Sequence, residues 1–172
     1  HRGGKGRIGM RTRDEDFVGL RGEYNKKGDK LVAGTPGFLP PLSKGPAPNR
    51  LDFAKWLVTP EQPLTSRVIV NRYWQMIFGT GIVKSVEDFG SQSDAPSHPE
   101  LLDWLAVEFQ QPSAAGSGAK QPWSVKEFVR MLATSATYRQ SSVVTKEHLA
   151  KDPDNRLYAR GPRFRLQGGF IR

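Results

Sequence analysis

Apolar side chains in the middle of this chain recur at helical spacing. Val70, Tyr73, Trp74 and Ile77 stand at i, i+3, i+4 and i+7, so the spacing predicts a helix over residues 65–78 with these four on one face. Gly79 closes it, because glycine takes the left-handed conformation that ends helices without steric cost. Leu101, Leu102, Leu105 and Phe109 predict an inward face on a second helix, with Trp104 on its flank. Ser97-His98-Pro99-Glu100 precedes them. It reads as a reciprocal cap of Ser97 and Glu100, with Pro99 in the first turn. Ser124 and Glu127 form the same signature. They open a helix carrying Val125, Phe128, Val129, Leu132 and Ala136 and ending near Tyr138.

Shorter elements fill the remainder. Asn49 caps a helix whose stripe is Leu51, Ala54 and Leu57, with Trp56 beside it, and Pro60 ends it. Residues 82–92 read as an irregular return anchored by Val83, Val86 and Phe89. Residues 145–151 predict a helical turn, and Asp152-Pro153-Asp154 predicts a further helix start leading into residues 156–166. Upstream, residues 17–24 alternate as a strand does, residues 25–29 have turn chemistry, and Lys30-Leu31-Val32 return as a partner strand. Five prolines between positions 35 and 48 predict an extended connector. The fold class expected is mainly α: an irregular helical domain with long loops and one short N-terminal β-hairpin. It occupies residues 17–166 and is interrupted by a low-complexity insertion at 110–122.

Composition narrows the chemistry. The chain has 172 residues, 37% of them hydrophobic, with 18 glycines and 13 prolines, a balance that suits a compact core carrying irregular segments. No cysteine is present, which removes disulfides, thiolate metal sites, cysteine nucleophiles and covalent haem attachment from this segment. No apolar run approaches the ~20 residues that span a bilayer. The chain opens on His1 and closes on a glycine-rich stretch at 167–172, and both ends read as truncated, so a fragment of a longer protein is expected.

Charge is unevenly placed. The net +9 divides into +6 over residues 1–50, −4 over 51–110 and +7 over 111–172. The predicted core is acidic and its flanks are basic. The basic Gly-rich flank 1–16 is expected to be unstructured. A nucleic-acid module would carry its basic stripe on the folded core, so nucleic-acid binding is disfavoured and an intramolecular role for the arginines preferred.

Individual candidates follow. His1, His98 and His148 lack partners at ligand spacing, so no metal site is expected. Glu87, Asp88, Asp94 and Asp103 offer a carboxylate pair for acid–base work, with Asp88 and Asp103 the preferred two, against the plainer reading that such acids are solvated or cap amides. No nucleophile elbow or phosphate-cradling glycine loop occurs. Arg67, Asn71 and Gln75 form a polar stripe at i, i+4 and i+8, which either lines a cleft or is simply an exposed face. Arg67, Asn71, Gln75, Asp88, His98 and Asp103 are therefore the candidate cleft or interaction residues. Arg156, Arg160, Arg163 and Arg165, interleaved with Tyr158 and Phe164, form the candidate basic surface.

Several separated motifs resemble one family in order. They are residues 49–57 (NRLDFAKWL), 71–75 (NRYWQ), 88–92 (DFGSQ), 97–105 (SHPELLDWL), 135–142 (SATYRQSS), 154–157 (DNRL) and 163–166 (RFRL). Leu20-Arg21-Gly22-Glu23-Tyr24 and residues 37–42 resemble its lead-in. The family is a domain of unknown function that accompanies cytochrome-c-like domains in large exported proteins of planctomycetes. The sequence departs from it at residues 112–121, an apparent insertion, and after Leu166. The resemblance implies an exported, periplasmic or cell-surface location, other domains of the same parent as partners, and a cytochrome-c-like domain among them. It implies haem in that other domain and no cofactor in this segment. It carries over no catalytic residue. The role expected is a non-catalytic accessory or interaction domain. The alternatives are part of a hydrolytic or redox enzyme acting on polysaccharide, and nucleic-acid binding through the basic flanks.

Overall fold

Gln62 starts the longest helix. Its side-chain oxygen accepts from Leu64 N at 2.8 Å, and Pro63 occupies the first turn, where a missing donor costs nothing. Helix α2 (Pro63–Phe78) follows, two residues longer at its start than the spacing predicts. Gly79, at φ 82°, ends it by donating to Gln75 O. The structure is a computed structural model and describes residues 16–19, 26–31, 34–42, 48–113, 116 and 121–165. The expectations for residues 1–15, 20–25, 32–33, 43–47, 114–115, 117–120 and 166–172 lie outside these. The described elements are mainly helical, with one two-stranded sheet.

The chain divides into two compact units, His1–Phe53 and Ala54–Arg172. The first holds the hairpin of β1 (Asp16–Gly19) and β2 (Lys27–Leu31), antiparallel with Phe17 opposite Lys30. The Lys27 ammonium sits 4.8 Å from the Phe17 ring centroid. Lys27, Gly28 and Asp29, expected in a turn, are strand residues. Lys27 pairs with Gly19 and Lys30 with Phe17, with an irregularity in the register between them, and this pairing outweighs the turn preference of the intervening residues. The proline connector bends instead of running straight, since Leu39 N donates to Pro36 O and Thr35 Oγ1 to Pro40 O.

Helix α1 (Arg50–Leu57) is capped as expected. Asn49 Oδ1 accepts from Leu51 N and Asp52 N, while Asp52 Oδ2 accepts from Asn49 N at 2.9 Å. Its inward residue is Trp56. Leu51 is exposed and Leu57 only half-buried, because the indole removes the most apolar area from water.

In the second unit, α3 (Pro99–Gln110) packs broadly on α2, and α4 (Val125–Thr134) packs on α2 more lightly. Val70, Trp74 and Phe78 from α2, Leu102, Leu105 and Phe109 from α3, and Phe128 and Leu132 from α4 form the core. Phe109 meets Phe128 at 5.1 Å and Trp123 at 5.2 Å, edge to face. Val83 and Val86 are buried as expected, but the deepest anchor of the return is Ile82, which is fully buried.

Neither predicted serine cap forms. His98 takes the N-cap place of α3 without a side-chain cap bond, and Ser97 instead turns its amide and hydroxyl on Ile82 O. That carbonyl has left the helical ladder and needs donors. Ser124 heads α4 without a side-chain cap bond. Helix α4 ends at Thr134, short of Tyr138, because Ser135 goes extended and its hydroxyl accepts from Tyr138 N. On α4, Phe128 and Leu132 are buried while Val125 and Val129 are exposed; Ala136, expected on the same face, lies beyond the helix end and is exposed. Gln110 belongs to the end of α3, not to the low-complexity stretch. Buried, it donates to Ser66 Oγ at 2.8 Å and ties α3 to the start of α2.

Helix α5 (Lys146–Lys151) is capped by Thr145 and His148 reciprocally. The helix predicted after Asp152 is absent. The Asp152 carboxylate draws in Arg156 N and Leu157 N at 2.7 and 2.8 Å, and Asn155 and Tyr158 adopt positive φ, 54° and 52°. A side-chain acceptor that takes the amides, with left-handed residues at two of the next positions, leaves no helical ladder.

Candidate functional site

The polar stripe on α2 separates into three different roles. Asn71 is fully buried; its amide donates to Val83 O and accepts from Val83 N, both at 2.9 Å. It holds the return against α2 as a backbone strand partner would. Gly81 permits this, since a Cβ there would lie 2.8 Å from Asn71 Nδ2 and 2.5 Å from Val83 O. Arg67 Nε pairs with Asp103 Oδ1 at 2.7 Å across α2 and α3, a half-exposed pair. Gln75 is exposed. Asp88, also exposed, accepts from Gly90 N at 2.7 Å and shapes its own turn. Arg67 and Asp103 are thus brought together, while Asp88 is held within its loop.

His98 joins an aromatic node. Its ring lies 5.5 Å from that of Tyr158 and its Nδ1 lies 3.0 Å from Ser97 Oγ. Tyr158 packs edge-on to Trp74 at 5.1 Å and donates its hydroxyl to Thr80 O at 3.2 Å. Burial pushes the phenol above its ordinary 10.0; Trp74, Arg156 and Ser97 offset part of this. Trp74 Nε1 is buried and makes no hydrogen bond among the described residues.

Two of the four candidate arginines turn inward. Arg156 donates to Gly81 O and Ile82 O at 3.0 and 3.3 Å. Arg160, buried, donates to Asp152 O and Pro153 O at 2.8 and 2.7 Å. These are strong charge-assisted bonds to carbonyls outside any helix. Arg163 and Arg165 stay exposed.

A cleft of about 330 Å³ opens between the end of α2, α5 and the segment 153–164. Phe78, Thr80, Leu149, Asp154, Arg163 and Phe164 are among its lining residues. The Phe164 ring lies on Gly79, where a Cβ would come within 2.7 Å of Cδ1. Of these only Arg163 and Phe164 are candidates for a functional surface in the sequence, as part of the basic run; Phe78, Leu149 and Asp154 fall on expected helical elements. Thr80 and Asp154 lie in loops and Leu149 on α5, and no periodicity describes how the three converge. The cleft offers an apolar wall with a hydroxyl, a carboxylate and a guanidinium, which suits binding.

Among the described residues, no three or more His, Asp or Glu gather as a metal site would require, and no helix is long and apolar enough to cross a membrane. No curated protein and no solved structure matches the chain. A family match does exist, and it covers the caps, the α2–α3 core and the inward arginines alike. Over residues 49–172, more than two thirds of its length, the chain matches and belongs to the family described as "Protein of unknown function (DUF1553)".

Proposed function

We propose that this chain is a non-catalytic interaction domain that packs against other parts of a longer, exported protein, a cytochrome-c-like domain among them. One observation carries the reading. The central polar side chains are committed to holding the fold, while large apolar ones stand outside. Asn71, Arg156 and Arg160 are all bound to backbone groups. Trp104 and Val107, at i and i+3 on the outer side of α3, are 47% and 60% exposed. Aromatic side chains in that situation are the usual anchors of interfaces.

The test is a photo-crosslinking residue placed at Val107 in the whole gene product. The expected result is a crosslink to another domain, weakened by Trp104→Asp, with the reduced-minus-oxidised haem spectrum identifying a cytochrome partner. Quenching by solvent alone overturns the proposal.

A further inference from the structure

The cleft beside Gly79 contains polar groups that the fold does not use. Asn155 and Arg160 also line it, but both are engaged: Asn155 bridges Arg160 N and O, and Arg160 holds the Asp152 and Pro153 carbonyls. Thr80, Asp154 and Arg163 differ. Among the described residues the Thr80 hydroxyl, the Asp154 carboxylate and the Arg163 guanidinium make no hydrogen bond or ion pair. Asp154 and Arg163 carry opposite charges on one cleft without neutralising each other.

The apolar part of the lining is equally unspent. Leu149 is 55% exposed and Phe164 45% exposed, although both face the same concavity, with Phe78 and Val144 behind them. The volume, about 330 Å³, lies at the small end of the ~300–1,000 Å³ typical of ligand pockets. It suits one large side chain with its adjoining backbone.

Resting on the interaction-domain reading, we infer that this cleft docks an extended peptide segment. The segment inserts one large apolar side chain between Leu149 and Phe164. It sets an acidic neighbour against Arg163 and a basic neighbour against Asp154. Charge complementarity selects this occupant: a purely apolar ligand would leave two charges in contact with apolar surface, and a purely anionic one would meet Asp154. The Thr80 hydroxyl is free to bond the segment's backbone.

The probe is a pair of acetylated, amidated tripeptides, Glu-Phe-Lys and Lys-Phe-Glu, titrated into the isotope-labelled 172-residue chain, with Gln-Phe-Gln as control. Amide shifts are expected at Gly79, Thr80, Asn155 and Gly161, with one charge order preferred. Loss of both peptide charges should weaken binding about tenfold, the size of two exposed ion pairs. Leu149→Gln, on the exposed side of α5, should abolish the shifts without unfolding. The double variant Asp154→Lys with Arg163→Glu should reverse the preference between the two charged peptides. Equal binding of all three peptides, or an unreversed preference, overturns the assignment. Concentration-dependent shifts of the same amides without peptide overturn it in favour of a second copy of this chain. Shifts at Trp104 and Val107 instead overturn the cleft and leave the interaction-domain reading standing. Absence of shifts anywhere overturns the cleft alone, since the Val107 crosslink tests the broader reading.

Discussion

The α2–α3 pair and the segment from Ser135 to Phe164 reach order by opposite means. The pair is built from apolar faces: Val70, Trp74, Leu102 and Leu105 are almost wholly removed from water. The segment has only Tyr158 in the core, and outside the short helix α5 its order comes largely from side chains bonded to backbone. Asp152 gathers two amides, Asn155 spans Arg160, Gln140 Nε2 donates to Tyr158 O, and Arg160 clamps two carbonyls. Apolar packing is non-directional and scales with area, so it tolerates small shifts. Polar clamps are directional, and a missing partner leaves a buried group unsatisfied. The first region should therefore fail globally and the second locally.

Leu105→Ala is the largest test. It removes a nearly fully buried side chain between two helices and should cost about 3–4 kcal/mol, read as a lowered denaturation midpoint for the whole second unit. Asn71→Ala comes next, because it strands both the amide and the carbonyl of Val83. About 3 kcal/mol is expected, with accelerated amide exchange concentrated in residues 82–97. An equal rise in exchange along α2 would break the distinction, since it would make the clamp part of the global core.

Arg160→Ala should cost about 2 kcal/mol and raise exchange across residues 152–161 while leaving α2 and α3 protected. Tyr158→Phe is the smallest change and sits where the two regions meet. Loss of the bond to Thr80 O should cost about 1 kcal/mol near neutrality. It also carries a pH signature. Because the folded phenol titrates above its ordinary 10.0, the stability it adds is complete below that value. It is lost as pH rises through the folded value. Wild type should therefore lose stability in strong alkali more steeply than Tyr158→Phe. Parallel curves for the two proteins would mean that Tyr158 ionises as freely folded as unfolded.

The same division governs how much could be read from the chain itself. Helices α2 and α3, the Gly79 stop and the Asn49 cap follow from spacing and local chemistry, and the structure contains them. The Ser97 and Ser124 caps do not, although each motif is locally correct, because a nearby carbonyl at Ile82 claims Ser97 and α4 begins from Trp123 at positive φ. The predicted helix after Asp152 fails for a related reason: its best cap residue binds amides too far along the chain. Of the candidate site residues, Arg67 and Asp103 meet across two helices, Asn71 turns inward and Gln75 faces solvent. One stripe at i, i+4 and i+8 gave no sign of that split, since burial of a polar side chain depends on what the facing segment leaves unsatisfied.

By itself the sequence determined the helical class, the position of the α2–α3 core and the absence of cysteine chemistry. Periodicity and composition are local, and burial of apolar area follows them. The tertiary structure decided which polar groups are spent and which are free. Asn71, Asp152, Arg156 and Arg160 are bound to carbonyls and amides brought near by folding, while Thr80, Asp154 and Arg163 are left at the lip of one cleft. A hydrogen bond needs its partner within about 3 Å, and only the folded chain sets that distance.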